Sequence, residues 1–369
     1  MHIALTGATG FLGSRLLVQF LRRGAEVTVL ARPRPRDTRE RLEETLTHLK
    51  APGSLLQALR HRVRIAEADV CLTRLGMTPR RFQELADRVD AVWHSAGDIR
   101  LNADLASLRT VNVHGTRRVL EFTAAGRRCP RLHHVSTAFV AGGRHDGVAG
   151  EGDLSDGHGF ENHYERSKYE GELLVHDWCR RHRRPAVILR PSILVSDLAP
   201  HPAVPPHPLQ FIAEIARSGL EAVDRAGLAP PPGAPVPVVR VPGRADGHLN
   251  LLPVDWAAEA MALIADRFHG NSLATFHVVH PRDTPMTVLA RLFERFLPVR
   301  LDLRPDGVPD PTELEQLADF YPGFTPYLGH RRRFDDSTAR RLLGGLPPPP
   351  DVGLAYLLAG TIPTTDPRT

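Results

Sequence analysis

The sequence predicts an α/β protein built on a doubly wound parallel sheet, with a smaller C-terminal region left for substrate. Three observations carry this. Short β-rich runs alternate with helical stretches, a glycine-rich turn separates the first strand from the first helix, and a tyrosine and a lysine stand four residues apart near the middle of the chain. Strands spaced by helices imply βαβ units and a parallel sheet.

The strand-like runs fall at residues 2–6, 26–31, 62–66, 91–94, 131–136 and 186–189, and another at 275–279 is expected to return to the sheet. Between the first two, Leu12, Leu16, Leu17, Phe20 and Leu21 recur at helical spacing and Gly24 closes the segment, which makes one complete crossover unit. From about 196 to 243 repeated prolines, including Pro200, Pro202, Pro205, Pro230 and Pro235, break any long regular element. The expected division is a nucleotide-binding unit over 1–195, completed by about 244–280, and a substrate-binding region over 196–243 and 281–369. A proline-broken stretch of that length in a compact domain reads as a lid, here across about 196–250.

Composition excludes several classes. No run of about 18 apolar residues occurs, and a strand starts at the first residue with no room for a signal peptide, so a soluble cytoplasmic protein without a membrane span is expected. Cys71, Cys129 and Cys179 are odd in number and widely spaced, which suggests neither disulfides nor zinc. His277 and His280 lie in or beside a strand, where a spacing of three points to opposite faces, and no metal site is expected. The net charge of +5 is spread along the chain rather than gathered in a block, so no nucleic-acid partner is indicated.

The first strand runs into Thr6-Gly7-Ala8-Thr9-Gly10-Phe11-Leu12-Gly13. Gly7 permits a tight turn, Gly10 lets the backbone approach a pyrophosphate, and Gly13 allows close helix-to-strand packing, while Thr6, Thr9, Phe11 and Leu12 complete a turn aimed by a helix N-terminus at an anion. In this strand–turn–helix context the pattern indicates a dinucleotide site of the Rossmann type. NAD users end the second strand with an acid that holds the ribose hydroxyls, but here the chain reads Val29-Leu30-Ala31-Arg32-Pro33-Arg34-Pro35-Arg36. Arginine attracts a 2′-phosphate. NADPH is therefore expected, with Arg32 the first candidate and Arg34 or Arg36 behind it. Asp69 would lie near the adenine, and Ser95, Ala96 and Gly97, closing the fourth strand, would pass along the cofactor.

Tyr164 and Lys168 fall on one face of a helix. With five tyrosines and only two lysines, Lys50 and Lys168, this spacing arises by chance about 0.03 times. An ammonium beside a phenol favours phenolate and would bring its pKa of about 10 toward working pH. A third group should polarise a reacting carbonyl, and Thr137, at the end of the fifth strand and 27 residues before Tyr164, opens into the crevice where α/β ligands bind. Asn112 reads equally as an interior structural amide or as part of the site.

These residues resemble the extended short-chain dehydrogenase/reductase family, through the Gly7 to Gly13 turn, Asn112 with Gly115-Thr116, Thr137, and Tyr164 with Lys168. Arg32, the insert 41–59, Leu75-Gly76-Met77, His133-His134-Val135-Ser136-Thr137, Arg190-Pro191-Ser192 and Leu252-Pro253-Val254-Asp255-Trp256 are similar to its thioester reductase and fatty acyl-CoA reductase branch. The likeness covers nearly all of 1–280 and departs at the proline-rich stretch 200–242. It implies Val70, Pro191 and Ser192 as further cofactor neighbours, and NADPH-dependent reduction of an acyl thioester, carried on coenzyme A or an acidic carrier protein, to an aldehyde or on to an alcohol. Ketone or 3-oxoacyl reduction, sugar-nucleotide epimerisation or dehydration, and a non-catalytic NADP sensor are the alternatives on the same fold.

Overall fold

The computed structural model describes residues 1–214, 235–312, 315–316 and 323–362. Seven parallel strands form the central sheet: β1 (His2–Thr6), β2 (Glu26–Ala31), β3 (Val63–Glu67), β4 (Ala91–His94), β5 (Arg131–Val135), β6 (Ala186–Pro191) and β7 (Ala274–Val278). Their spatial order, β7-β6-β5-β4-β1-β2-β3, reverses direction beside β1, which opens a crevice at the C-terminal strand ends. Strands buried on both faces read as near-continuous apolar runs, because alternate side chains enter two different cores. Ile3, Leu5, Val27, Val29 and Trp93 enter the core shared with α1 (Phe11–Arg22), α2 (Thr38–His48), α3 (Gly53–Arg62) and the later helix Val254–Arg267. Ala4, Leu30, Val92 and Ile188 enter the core shared with α4 (Pro79–Ala86), α6 (Thr116–Ala125) and α7 (His163–His182), whereas the short α5 (Leu105–Arg109) precedes a π-helical turn, Thr110–Gly115.

A third core, containing Phe139, Leu209, Ile212, Leu249, Met286, Leu289, Phe324, Tyr327 and Leu357, sits beyond the strand ends. The residues named come from six stretches of chain, so the C-terminal region and the insertion share one core. The insertion is not a free loop where it is described. Thr45 Oγ1 donates to the Ala203 carbonyl at 2.9 Å, His201 stacks on His48 with ring centroids 4.3 Å apart, His207 meets Phe11, and Gln210 Nε2 donates to the Gly360 carbonyl. These contacts tie residues 196–214 to α1, α2 and the helix Leu354–Thr361. Of the lid expected across about 196–250, residues 215–234 lie outside the described residues. No described helix is long and apolar enough to cross a membrane.

The glycine turn decides how closely α1 meets β1. A Cβ on Gly13 would fall 2.0 Å from the Gly7 carbonyl oxygen, a contact of backbone with backbone that no rotamer change relieves. Gly53 has nothing within 4 Å of such a Cβ. Gly13→Ala is expected to destabilise by about 2–3 kcal/mol or more through overpacking, and Gly53→Ala to leave stability unchanged or slightly raised. Urea unfolding of the two variants beside the parent checks the pair.

Candidate active site

At the end of β1 the backbone enters the left-handed region at Gly7 (φ 76°), and a Cβ there would lie 2.7 Å from Ser95 and Ala96 main-chain atoms. Glycine is required by both conformation and space. The Gly10 N–H donates to the Gly7 carbonyl at 2.8 Å and the chain then enters α1, whose N-cap, Gly10, offers no side-chain cap and whose first turn carries no acid. The first N–H groups of α1 are thus left for an anion. Thr9, Gly10 and Phe11 line this turn while Leu12 packs into the core.

Thr6, expected at the cofactor, lies beneath the turn. Its side chain is fully buried, and Oγ1 bonds His94 Nδ1 at 2.9 Å and accepts the Ala96 N–H at 3.2 Å. His94 Nε2 in turn meets Thr116 Oγ1 at 3.2 Å. Burial, then the charge of Lys168, pushes His94 down to about 3, so this imidazole is a neutral tie between β1, β4 and α6. Asn112, on the π-helical turn, resolves in structural terms: its Oδ1 accepts from Asp98 N–H, and its Nδ2 donates to the Asp98 carbonyl and to Ser167 Oγ, all within 2.8–2.9 Å. It joins the loop after β4 to α7. π-Helical turns frequently occur at functional sites, and here the turn brings an interior amide level with both elements.

Arg32 is exposed after β2 and makes no hydrogen bond or ion pair among the described residues, yet its charge acts on both Cys71 and Asp98, which places it over the gap between the two loops. Arg36 differs, being paired with Glu44. Arg34 is exposed, and with Arg36 it depresses Arg41 behind the larger effect of burial, so the mouth of β2 holds a compact basic group. Asp69 accepts the Cys71 N–H at 2.9 Å and shapes the turn after β3; Val70 beside it packs toward Gly115, and Gly97 toward Asn112.

Thr137, Tyr164 and Lys168 meet at the C-terminal end of β5. Thr137 is extended (φ −152°, ψ 148°), and its Oγ1 accepts the Phe139 N–H at 3.2 Å, donates to the Pro191 carbonyl at 3.5 Å and acts on the Tyr164 phenol. Lys168 Nζ donates to the Val135 carbonyl at 2.8 Å and is 7% exposed, whereas Lys50, the other lysine, is exposed. The electrostatics run against the expectation of an activated phenolate. Burial pushes Tyr164 up to about 12, with the Thr137 hydrogen bond opposing and Glu165 and Asp98 adding to the rise. Lys168 is not among the groups that move it. Burial instead brings Lys168 down to about 8, with Glu172 opposing. Beside them Pro191 is buried and Ser192 Oγ, 5% exposed as a residue, has no hydrogen-bond partner among the described residues.

Two supporting networks escaped sequence reading. Glu172, one turn beyond Lys168, accepts from Ser136 Oγ at 2.5 Å and from Arg190 Nε at 3.1 Å and Nη2 at 2.5 Å, with Glu172 and Arg190 both buried. Tyr327, from the C-terminal region, donates to Glu165 Oε1 at 2.8 Å and accepts from Asn162 Nδ2 at 2.9 Å. Asn162 caps α7 through the Glu165 N–H, and Glu165 reaches back to the Glu161 N–H. This capping box, Asn162-x-x-Glu165, was the one local signal available. His277 and His280 bond different carbonyls, those of Asp335 and Pro350.

The NAD-binding family model described as "Male sterility protein" matches residues 5–261. A Drosophila melanogaster protein bearing a fatty acyl-CoA reductase name is 32% identical over 146 residues, which is 38% of this chain and 28% of that one. An isonitrile lipopeptide synthase of Streptomyces coeruleorubidus is 31% identical over 226 residues, 60% of this chain and 15% of that one. The chain spans less than a third of the length of either relative. Among solved structures, the terminal R domain from the myxalamid PKS-NRPS biosynthetic pathway superposes with a TM-score of 0.74 over 98% of this chain and 89% of that chain, at 24% identity, a likeness of fold. With the family model extending from β1 into the helix Val254–Arg267, the chain belongs to the male sterility family of NAD-binding domains.

Proposed function

We propose that the chain is an NADPH-dependent oxidoreductase that reduces an acyl thioester, carried on coenzyme A or on an acidic carrier protein, to an aldehyde. The observation that carries this is the meeting of Thr137, Tyr164 and Lys168 at the crevice mouth, one strand away from a glycine turn with an uncapped helix N-terminus. The relatives' names support the substrate class, one bearing a fatty acyl-CoA reductase name and another named an isonitrile lipopeptide synthase.

The residues fit the cofactor. The α1 N-terminus with Gly7, Gly10 and Gly13 suits a pyrophosphate, Arg32 with Arg34 suits a 2′-phosphate, Asp69 and Val70 bound the adenine side, and Ser95, Ala96, Gly97 and Asn112 line or support the path toward Tyr164 and Lys168. Pro191 and the unpartnered Ser192 hydroxyl would border the nicotinamide end. Bound NADPH supplies a hydride to the acyl carbon. Thr137 and Tyr164 donate to the thioester oxygen as it gains negative charge, which is where preorganised donors act most strongly. A phenol held near 12 is a protonated donor at neutral pH, suited to giving its proton to that oxygen. Collapse of the resulting hemithioacetal releases thiol and aldehyde. Lys168 binds the ribose and returns positive charge to the phenol once a ligand draws it from Val135.

Three outcomes test this reading. NADPH should bind more tightly than NADH by about ten- to a hundredfold, from roughly 1.5–3 kcal/mol of charge-assisted contact, and Arg32→Ala should erase the difference; fluorescence titration with both cofactors measures it. Tyr164→Phe should fold and bind NADPH while slowing the chemical step by roughly 10² to 10⁴, measured as NADPH oxidation across acyl-CoA thioesters, ketones and nucleotide sugars. Near-native turnover by that variant, or a preference of the parent for ketones or nucleotide sugars, refutes the proposal. The pH dependence follows Lys168: its ammonium is charged below about 8 and neutral above, so NADPH affinity should stay level at lower pH and weaken as pH rises through about 8, a trend Lys168→Ala abolishes along with most of the affinity. Calorimetric titration over a pH series reads both.

A further inference from the structure

Outside the crevice, three side chains from distant parts of the sequence converge on one point. His145 Nε2 lies 2.7 Å, and His330 Nε2 2.9 Å, from the same carboxylate oxygen, Oε1 of Glu161. The possible ligand atoms of the three residues all fall within 4.8 Å of one another. We propose that His145, Glu161 and His330 form a binding site for a divalent zinc-class cation, which braces the start of α7 against the C-terminal region.

The donor set is that of zinc: two imidazole nitrogens and one carboxylate, with a fourth position for water. Exposure is graded to suit such a site, His330 being 1% exposed, Glu161 11% and His145 53%, so the cluster is closed on the protein side and open through His145. Each donor is held by its backbone. The His145 carbonyl accepts the Arg331 N–H at 2.7 Å, the His330 carbonyl accepts the His248 N–H at 2.9 Å, and the Glu161 N–H is taken by Glu165 at 2.9 Å. Nδ1 of His330 is buried without a hydrogen-bond partner among the described residues.

Of the three neighbouring arginines two are ion-paired, whereas the charge of Arg332 acts on Glu161 and His330. Arg331 pairs with Asp146 and Asp246, Arg144 with Asp153, and Arg332 donates to the Gly142 carbonyl between the Phe139 and Phe334 rings. The histidine–carboxylate separations are those of hydrogen bonds, whereas ligands at about 2.0–2.2 Å around a tetrahedral ion stand roughly 3.3–3.5 Å apart, so the Glu161 oxygen must draw back by about half an ångström while the two histidine atoms, up to 4.8 Å apart, close by somewhat more than about 1 Å. Half-exposed His145 can give that much. The rings already lie 4.8 Å apart at 36°, near enough for both to face one ion. Glu161 is followed by Asn162, the cap of the helix that bears Tyr164, and His330 ends the turn that carries Tyr327, so an ion there would fasten both partners of the Tyr327–Asn162 contact. Sequence reading had no access to it, since His145 and Glu161 are 16 residues apart and Glu161 and His330 169.

The test uses the full, tag-free chain after chelator treatment, titrated with Zn²⁺ by calorimetry and with Co²⁺ by visible absorption, alongside thermal unfolding with and without Zn²⁺. One strong site per chain, intense four-coordinate Co²⁺ bands and a Tm raised by several degrees are expected. His145→Ala, an exposed change, should weaken Zn²⁺ at least about tenfold and abolish the Tm rise. Glu161→Gln keeps a hydrogen-bond acceptor for both histidines and removes the charge, so it should lose the ion yet hold the parent's metal-free Tm. Absence of a one-to-one site, or Zn²⁺ affinity and Tm shifts unchanged in either variant, would overturn the proposal and leave a histidine–glutamate hydrogen-bond clamp.

Discussion

The buried pair of Glu172 and Arg190 sets the height of α7 above the sheet, and the rest of the candidate site depends on that height. Arg190 comes from β6 and Ser136 from the residue after β5, and both hold one carboxylate on α7. Burial alone would raise Glu172, but His176, Arg190 and Ser136 together bring it down to about 2. Such a pair is weak evidence of net stability, because desolvation offsets most of its attraction, yet breaking it by removing one partner typically costs about 3–5 kcal/mol. Its effect here is positional. One turn before Glu172, Lys168 comes within reach of the Val135 carbonyl, and one turn earlier Tyr164 reaches Thr137. Arg190 also donates to the Glu151 carbonyl, and the Glu151 carboxylate accepts N–H groups of His277, Thr338 and Ala339, so the chain of polar contacts continues from α7 through β6 to β7 and the start of the helix Ser337–Leu342.

Around this frame, desolvation governs the ionisable groups. His94 and His134 are neutral imidazoles beneath a lysine that is itself half neutral near pH 8, and the phenol stays protonated. A sequence argument places an ammonium next to a phenol and infers an acidic phenol. In the folded protein Nζ is occupied by a backbone carbonyl, and the low-dielectric surroundings act on both groups in the direction of their uncharged forms. The phenol therefore rests in its protonated form rather than as a phenolate.

The C-terminal region contributes by packing and by capping. Tyr327 closes over Phe139 with ring centroids 5.1 Å apart and reaches the first turn of α7 through Asn162 and Glu165, so the segment expected to recognise substrate is fastened to the helix that bears Tyr164. Burial raises Glu165 to about 7, a consequence of placing a capping carboxylate inside the third core. On the other side, residues 196–214 lean on α1 and α2 through Ala203, His201 and His207. The crevice is thus walled by elements that also hold its floor.

Much of this was legible along the chain, because it rests on local periodicity and backbone stereochemistry. The six strand runs and the seventh near 275, the glycine turn, and the placing of Tyr164 and Lys168 on one helical face depend on residues within a turn or a strand of each other. The basic character after β2 was equally local, since Arg32 needs no partner to be read. What tertiary structure alone decided were the partnerships across long separations. Thr6 became a buried tie to His94, Asn112 a link from the Asp98 loop to Ser167, and Arg36 was diverted to Glu44. The pairing of Glu172 with Arg190, the seat of Tyr327 on Glu165, and the approach of His330 to Glu161 likewise had no sequence period to announce them. Hydrogen bonds and desolvation act through space at distances of a few ångströms, and which polar groups share that space is determined only when the sheet, helices and C-terminal core have packed.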